Sequence, residues 1–220
     1  MAPIQPDLEG VFRSGARYRW SGDPRVSVQQ VENAGYLHLP SGRILACDPT
    51  WGSGIAERVR PLMLVVEPGA YPVRLAVTCK DPPGPSREIA AVKIAFRELP
   101  VATWELARLE DQPHAAASFA RLEVDSGKGC LVDSGACPAL AASNDSLGSR
   151  RHKRAIEDIA QRDWINVLLD AEIGVNAVVF KCPLGDGVYP IWIGRTMAGE
   201  PVSVVAHLGL IQHSLGRIPD

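Results

Sequence analysis

Alternating hydrophobicity over short segments is the feature that most limits the fold of this sequence. In the clearest case, apolar side chains occupy every second position between residues 71 and 79: Tyr71, Val73, Leu75, Val77 and Cys79. Successive side chains of a β-strand point to opposite faces, so this period is typical of a strand with one buried face. The pattern recurs at Val92, Ile94 and Phe96. We therefore expect strands to supply most of the core.

Glycine and proline separate the apolar segments. The sequence contains 20 glycines and 18 prolines, which are spread along the chain rather than concentrated in one linker. Frequent turns between short segments favour β structure. Seven further segments are predicted strands: 36–39, 43–48, 62–67, 103–109, 175–181, 188–195 and 201–207.

Residues 150–172 have helical spacing instead. Apolar residues recur there three or four positions apart, and charged residues cover the other side: Ile156, Ile159, Ala160, Trp164, Val167 and Leu168 against Glu157, Asp158, Arg162 and Asp163. This spacing predicts one long amphipathic helix packed on the sheet. The expected fold class is α+β, mostly antiparallel strands arranged as a sandwich or an open barrel.

A hairpin is predicted near the C-terminus. Two strand patterns, 175–182 and 188–195, flank a turn region that contains Gly185-Asp186-Gly187. Glycine tolerates the positive φ that tight turns require, so we expect these strands to pair. A second turn at 197–200 then leads into a third strand of the same meander.

Length and charge limit the domain organisation and the classes of partner. A chain of 220 residues, 46% of them apolar, can bury a sizeable core without disulfides. Since no repeat or composition break divides it, residues 1–220 are expected to form a single domain. Lysine and arginine (23) nearly balance aspartate and glutamate (25), which argues against nucleic-acid and membrane partners.

The location and the cofactor content are also expectations from sequence. No run of 18 apolar residues and no secretory signal is present, so a cytoplasmic protein with reduced thiols is expected. The five cysteines form no C-x-x-C pair and none lies near a histidine with the spacing of metal ligands. We expect no metal site and no cofactor.

One polar segment, residues 124–135, is the first candidate for a functional site. It holds two Asp-Ser-Gly triplets, which begin at Asp125 and Asp133, on either side of Cys130. Carboxylates serve as acid or base, a thiolate serves as nucleophile, and glycine permits close approach of a ligand. We therefore take Asp125, Cys130 and Asp133 as catalytic candidates. The associated binding candidates are Ser126, Gly127 and Lys128.

A structural interpretation of the same segment stays open. Asp125 and Asp133 can be turn residues that bond their own backbone, with Cys130 a buried and inert thiol between them. The sequence lacks the phosphate loop G-x-x-x-x-G-K-[ST], the elbow G-x-S-x-G and the metal motif H-E-x-x-H. Convergence of Asp125, Asp133 and Asp186 would suit a divalent cation, but their spacing does not require it.

Five ordered motifs carry a resemblance to a known family. They are Leu39-Pro40-Ser41-Gly42-Arg43-Ile44-Leu45-Ala46-Cys47-Asp48-Pro49, Pro68-Gly69-Ala70-Tyr71-Pro72-Val73, Trp104-Glu105-Leu106-Ala107, Val124-Asp125-Ser126-Gly127 with Gly129-Cys130 and Asp133, and Gly185-Asp186-Gly187-Val188-Tyr189-Pro190-Ile191-Trp192-Ile193-Gly194-Arg195. In this order they resemble the bacterial domain-of-unknown-function family 4241, over about residues 36–210, with 1–35 as an N-terminal extension. The family implies no established activity, and its members are common in actinobacteria.

Two departures from the family pattern concern acidic positions. Thr196 and His207 stand where such sequences usually carry an acidic residue. The resemblance therefore implies either that any binding function of those positions is lost or altered here, or that His207 has been recruited for a new chemistry. His207 is kept as a further binding candidate.

Two classes of function are compatible with the sequence. The first is a small-molecule or protein binding module, accessory or immunity-like, that uses glycine-rich loops, Asp186 and exposed aromatics such as Trp51 and Trp192. The second is an enzyme that acts on a small polar metabolite through the Asp-Ser-Gly segment. An interaction module requires an exposed apolar patch with a polar rim, whereas an enzyme requires a pocket where that segment meets a titratable partner.

Overall fold

The computed structural model describes residues 3–19, 26–81, 87–111, 119–144, 159, 162–210 and 217–218. Among these residues thirteen strands are the main secondary structure: β1 (Arg17–Arg19), β2 (Val26–Leu39), β3 (Ile44–Cys47), β4 (Gly69–Asp81), β5 (Arg87–Ala95), β6 (Thr103–Leu106), β7 (Arg121–Val124), β8 (Lys128–Asp133), β9 (Trp164–Asp170), β10 (Val175–Lys181), β11 (Gly187–Arg195), β12 (Pro201–His207) and β13 (Arg217–Ile218). Two short helices are described, α1 (Ile55–Arg58) and α2 (Cys137–Asn144). Neither described helix is long and apolar enough to cross a membrane.

The strands form two sheets. The larger sheet has the order β13-β1-β2-β4-β5-β12-β11-β6, with β7 also paired to β11. The smaller sheet has the order β3-β8-β10-β9. Every described pair is antiparallel, so the prediction of a mostly antiparallel β protein is confirmed.

The main core lies between the two sheets. Alternate side chains of β4, including Val73, Leu75 and Val77, are fully buried there against Val178 and Phe180 of β10. The predicted alternation over residues 71–79 thus corresponds to the inner face of β4. Burial of side chains of this size stabilises the fold by roughly 1.5–3 kcal/mol each.

Both outer faces are covered as well. On the larger sheet, Leu8 and Val11 of the N-terminal segment pack on Trp192 and Val205. On the smaller sheet, short helical segments pack on the strands, with Ile55 and Leu140 among the residues buried there. The strands therefore bury residues on both faces, which explains why many of them are apolar at consecutive positions.

The long helix predicted at 150–172 is wrong over the part that the structure describes. Residues Trp164–Asp170 form β9, and the longer described helix has 8 residues and ends at Asn144. Ile165, Val167 and Leu169 pack towards the short helices, so a period of two overrides the helical spacing. β-Branched residues at two of these positions favour the strand. Residues 150–158, 160 and 161 lie outside the described residues.

The predicted pairing across Gly185-Asp186-Gly187 is also wrong. β10 pairs with β8 and β9 in the smaller sheet, whereas β11 pairs with β12, β6 and β7 in the larger sheet. The turn therefore carries the chain from one sheet to the other. Gly185 has the expected positive φ of 76°. The second turn of the predicted meander does join a pair of strands, β11 and β12.

Candidate functional site

Three loops that are distant in the sequence meet at one end of the smaller sheet. We call them the clamped loops: residues 48–51 after β3, 125–127 between β7 and β8, and 185–187, which ends on the first residue of β11. Two aspartates hold them together. The binding candidates Ser126, Gly127 and Asp186 all belong to these loops.

Asp48 is the first of these aspartates. Its side chain is fully buried, and its carboxylate accepts hydrogen bonds from five donors of 2.6–2.9 Å: Thr50 N, Thr50 Oγ1, Asp125 N, Ser126 N and Ser126 Oγ. A buried carboxylate with this many donors is compensated for the loss of hydration. Asp48 therefore acts as a structural clamp. The sequence signal for it was the aspartate directly after a buried strand, in the motif Cys47-Asp48-Pro49.

Asp186 is the second. Its Oδ1 accepts a hydrogen bond from Gly127 N at 2.9 Å. The carbonyl of Gly127 in turn accepts a hydrogen bond from Cys182 N at 2.8 Å. Tyr189 Oη donates to the Gly185 carbonyl at 2.7 Å and so fixes the turn itself. The 125–127 loop is thus held by backbone and carboxylate bonds from both sides.

Asp125 points outwards from the same loops. Its side chain is 67% exposed, Trp51 Nε1 donates to its Oδ2 at 3.0 Å, and Arg58 Nη1 lies 3.7 Å from that oxygen. The Arg58 guanidinium also lies 5.3 Å from the centroid of the Trp51 ring. Lys128, the remaining polar candidate of this segment, stands opposite Lys181 at the start of β8. Asp125 is therefore an exposed polar residue on a rigid loop.

Asp133 lies at the far end of β8 from Asp125. The strand has 6 residues, which separates its ends by about 17 Å. The Asp133 carboxylate is fully buried and accepts from Ser41 N, Ser41 Oγ and Gly135 N at 3.0, 2.8 and 2.7 Å. The structure does not bring Asp125 and Asp133 together. The hydrogen bond from Gly135 N to the Asp133 carboxylate is the Asx-turn that the structural interpretation of this segment predicts.

Cys130 is fully buried in the middle of β8. Its cross-strand neighbour on β3 is Cys47, and both side chains belong to the cluster between the smaller sheet and the short helices. A hydrogen bond with Cys47 and burial raise the pKa of the Cys130 thiol well above its usual value. The thiol is therefore protonated at neutral pH, whereas a cysteine nucleophile requires the thiolate.

The described residues contain no group of three or more histidine, cysteine, aspartate or glutamate side chains placed to hold a metal ion. The three aspartates that would suit a divalent cation, Asp125, Asp133 and Asp186, are used separately. Asp133 closes one end of β8, and Asp186 bonds the loop at the other end. The arrangement matches backbone clamps rather than a shared oxygen site.

Trp192 and His207 are buried rather than exposed. Only 4% of Trp192 and 5% of His207 is accessible, so the expectation of Trp192 as an exposed aromatic is wrong. β11 lies inside the larger sheet, and the N-terminal segment covers the face to which Trp192 points. His207 Nδ1 accepts from Gly209 N at 3.4 Å. Trp51 is half-buried at the clamped loops.

A different surface exposes apolar side chains. We call it the apolar hollow, a depression of about 520 Å³. Its lining comes from the β5–β6 connection and the β11–β12 turn: Leu99, Pro100, Val101, Ala102, Thr196, Met197, Ala198 and Glu200. Leu99 is 48% exposed and Met197 is 91% exposed. The sequence signal was apolar residues inside turns, Leu99-Pro100 and Met197, where polar residues are the norm.

The β11–β12 turn that carries Met197 is held by its own hydrogen bonds. Thr196 Oγ1 accepts from Ala198 N and Glu200 N, each at 3.2 Å, and Thr196 N donates to the Glu200 carbonyl at 2.9 Å. Gly199 has a φ of 82°, which glycine adopts without strain. Thr196 thus organises the turn through a hydroxyl, at a position where the family resemblance implies an acidic residue.

Ion pairs involve residues next to the lining of the apolar hollow in the sequence. There are three described arginine–glutamate pairs of this kind: Arg97–Glu200, Arg74–Glu98 and Arg195–Glu105. Arg195 also donates to the Gly199 carbonyl at 2.9 Å. Exposed pairs of this kind contribute about 0–1 kcal/mol each to stability. Each pair is neutral, and Glu200 of the Arg97–Glu200 pair is the charged residue of the lining.

Comparison with known proteins identifies one family. The model described as "Protein of unknown function (DUF4241)" matches residues 37–206, nearly the whole span over which the five sequence motifs resembled it. No curated protein and no solved structure matches the chain.

Proposed function

The chain belongs to the family of proteins of unknown function DUF4241, and we propose that it is a non-catalytic module that binds another protein through the apolar hollow. The observation that carries this proposal is the exposure of Met197 and Leu99 on one depression. Exposed apolar patches with polar surroundings are typical of protein interaction sites.

The composition of the surface supports the proposal. Interfaces are depleted of charge at the centre, enriched in methionine and polar at the rim. The lining of the apolar hollow is mostly apolar and includes Met197 and Leu99, and its one charged residue, Glu200, is paired with Arg97. Burial of either side chain against a partner would contribute roughly 1.5–3 kcal/mol of transfer free energy.

The rigidity of the surface supports it as well. The turn that presents Met197 is fixed by the bonds of Thr196 and by the pairing of β11 with β12. A surface that is already ordered loses little conformational entropy on binding. The long side chain of Met197 adds the adaptability that methionine provides at interfaces.

Two of the three catalytic candidates, Cys130 and Asp133, are buried, which argues against the enzyme interpretation. The third, Asp125, is exposed and is engaged by Trp51 and Arg58. A general base needs a lone pair within hydrogen-bonding reach of a substrate, but the carboxylates of Asp48 and Asp133 are buried and occupied by backbone and hydroxyl donors. A nucleophilic Cys130 would have to ionise inside an apolar cluster, where burial opposes ionisation. In this proposal Asp133 and Cys130 stabilise the fold, and Asp186 holds the 125–127 loop.

Site-specific photo-cross-linking in cells that express the protein tests the proposal. A photoreactive amino acid is placed at Met197 in one variant and, as a control, at Met63 in another, because Met63 is 53% exposed on a different segment. We expect a discrete adduct from position 197 that is absent from position 63. In a Leu99→Glu background the adduct should disappear. The same adducts from both positions, or none from position 197, would contradict the proposal.

A further inference from the structure

A second, larger depression follows one edge of the smaller sheet. We call it the edge groove, and its volume is about 900 Å³. One wall consists of six consecutive residues, 162–167, and the other of Ala34, Gly35 and Arg87. Consecutive residues of a strand point to opposite faces. Residues 164–167 belong to β9, and a groove that contacts all four runs along the backbone edge of this strand rather than over one face.

That edge of β9 is not paired with another described strand. β9 is the last strand of the smaller sheet and pairs with β10 within the described residues. The bond from Lys181 N to the Asp163 carbonyl, 2.9 Å, shows which backbone groups face β10. In an antiparallel pair, bonding residues alternate with outward ones. Asp163, Ile165 and Val167 therefore bond inwards, and the N–H and C=O groups of Trp164 and Asn166 point into the groove.

The opposite wall is held at a fixed distance. Asn166 Nδ2 donates to the carbonyls of Ala34 and Tyr36 at 2.9 and 3.0 Å. This stretch of β2 is a bulge in its pairing with β4, and Gly35 has a φ of 80° there. The Asn166 side chain thus spans from β9 to the bulge, while its backbone stays available to a new strand.

The groove contains one cation that has no acidic partner among the described residues. Arg87 is engaged by Glu32 and Asp163, at 2.9 and 2.7 Å. The exposed Arg162 forms no ion pair with a described residue, and it lies two residues before β9. The Trp164, Ile165 and Val167 side chains supply apolar surface beside it.

We propose that the edge groove binds an extended peptide segment of a partner protein, which adds to the smaller sheet as a strand beside β9 and carries an acidic side chain opposite Arg162. Addition of a strand to an open edge draws affinity from main-chain bonds and specificity from alternate side chains. The charge of Arg162 favours an acidic segment over a basic one. This site is separate from the apolar hollow and does not depend on it.

Selection from a random library of ten-residue peptides on the full-length protein provides the probe. We expect the retained peptides to lack proline in their centre and to carry an acidic residue. Arg162→Glu should lower the affinity of the protein for the best peptide at least tenfold. Arg108→Glu, a charge reversal at another exposed arginine, should change this affinity less than twofold. Leu99→Glu should leave it unchanged, which separates this site from the apolar hollow.

N-methylation of that peptide at each position tests the strand geometry without altering the protein. A peptide paired with β9 presents every second N–H to it, so methylation should lower affinity at least tenfold at alternate positions and less than threefold between them. A uniform effect along the peptide would overturn the proposal. So would the recovery of no peptide that distinguishes the wild-type protein from Arg162→Glu.

Discussion

Asp48 and Ser126 are 78 positions apart, yet one carboxylate accepts both the backbone N–H and the hydroxyl of Ser126, at 2.8 and 2.9 Å. The contact joins the end of β3 to the loop before β8, and these two strands are neighbours in the smaller sheet. The loop is therefore positioned by a buried charge as well as by its own turn.

Removal of the Asp48 carboxylate should be strongly destabilising. Asp48→Ala leaves its five donors without their buried acceptor, and we expect a loss of about 3–5 kcal/mol in the free energy of unfolding. Asp125→Ala removes an exposed side chain and should cost under about 1 kcal/mol. Urea unfolding of both variants gives the comparison. Equal losses would show that Asp48 is not a clamp.

Gly42 should tolerate alanine poorly. Its φ is 68°, and an added Cβ would collide with the backbone carbonyl of Val66. Gly15 provides a matched control, because its φ is 85° but nothing lies within 4 Å of an added Cβ. We expect Gly15→Ala to cost about 1–2 kcal/mol through the backbone conformation and Gly42→Ala about 3 kcal/mol or more. Thermal unfolding of the two variants in parallel tests this. Equal losses of stability in Gly15→Ala and Gly42→Ala would show that the protein relieves the collision at Gly42.

Much of the strand content was predictable from sequence. Alternation over 71–79 works because β4 places Val73, Leu75 and Val77 on the face between the two sheets. The pattern failed at 164–170, where Trp164, Val167 and Leu168 have helical spacing although Ile165, Val167 and Leu169 alternate as in a strand. The periodicity of one sequence does not distinguish a helix from a strand when the strand carries apolar residues on both faces. β9 is such a strand, because Trp164 and Ile165 pack in different clusters.

Tertiary relations of the loops were not predictable. Gly185-Asp186-Gly187 has the composition of a hairpin turn, but β10 and β11 belong to different sheets. The sequence indicates that a turn forms and not which strands it pairs. In the same way, the Asp-Ser-Gly segment was identifiable as polar and turn-rich, while its acceptor Asp48 comes from another strand and is located only through the sheet order.

Cys130 should be the slowest described cysteine to react with a thiol reagent. Its side chain is fully buried, and contact with Cys47 and burial raise its pKa. Cys79 is half-buried and should be labelled first under native conditions. Mass spectrometry of partially labelled protein gives the order. Labelling of Cys130 ahead of Cys79 would indicate a reactive thiol and would favour the enzyme interpretation.

The stability of the protein should fall in alkaline solution partly through Cys182. Burial raises the pKa of this thiol from 9.0 to about 12. Between these values the unfolded chain loses a proton that the folded chain retains, so stability decreases as pH rises, by up to about 1.4 kcal/mol per pH unit. Below pH 9 the group contributes no pH dependence.

From pH 9 to 10.5 the wild type should therefore lose about 2 kcal/mol more than Cys182→Ala, as measured by urea unfolding at each pH. The remaining ionisable groups are common to both proteins and largely cancel in the difference; Tyr189, whose pKa of about 12 is raised by burial and partly by Cys182, stays protonated over this range. Parallel pH profiles for the two proteins would show that Cys182 ionises in the folded state as readily as in the unfolded state.

The affinity of the cross-linked partner for purified variants tests the central claim most directly. We predict that Leu99→Glu and Met197→Glu each raise the Kd at least tenfold, because each places a charge in the apolar centre, while Met63→Glu and Asp125→Ala change it less than twofold. All four variants should remain folded, since each altered side chain is substantially exposed. The opposite pattern, with affinity kept by Leu99→Glu and Met197→Glu but lost in Asp125→Ala, would place the function at the clamped loops and contradict the account.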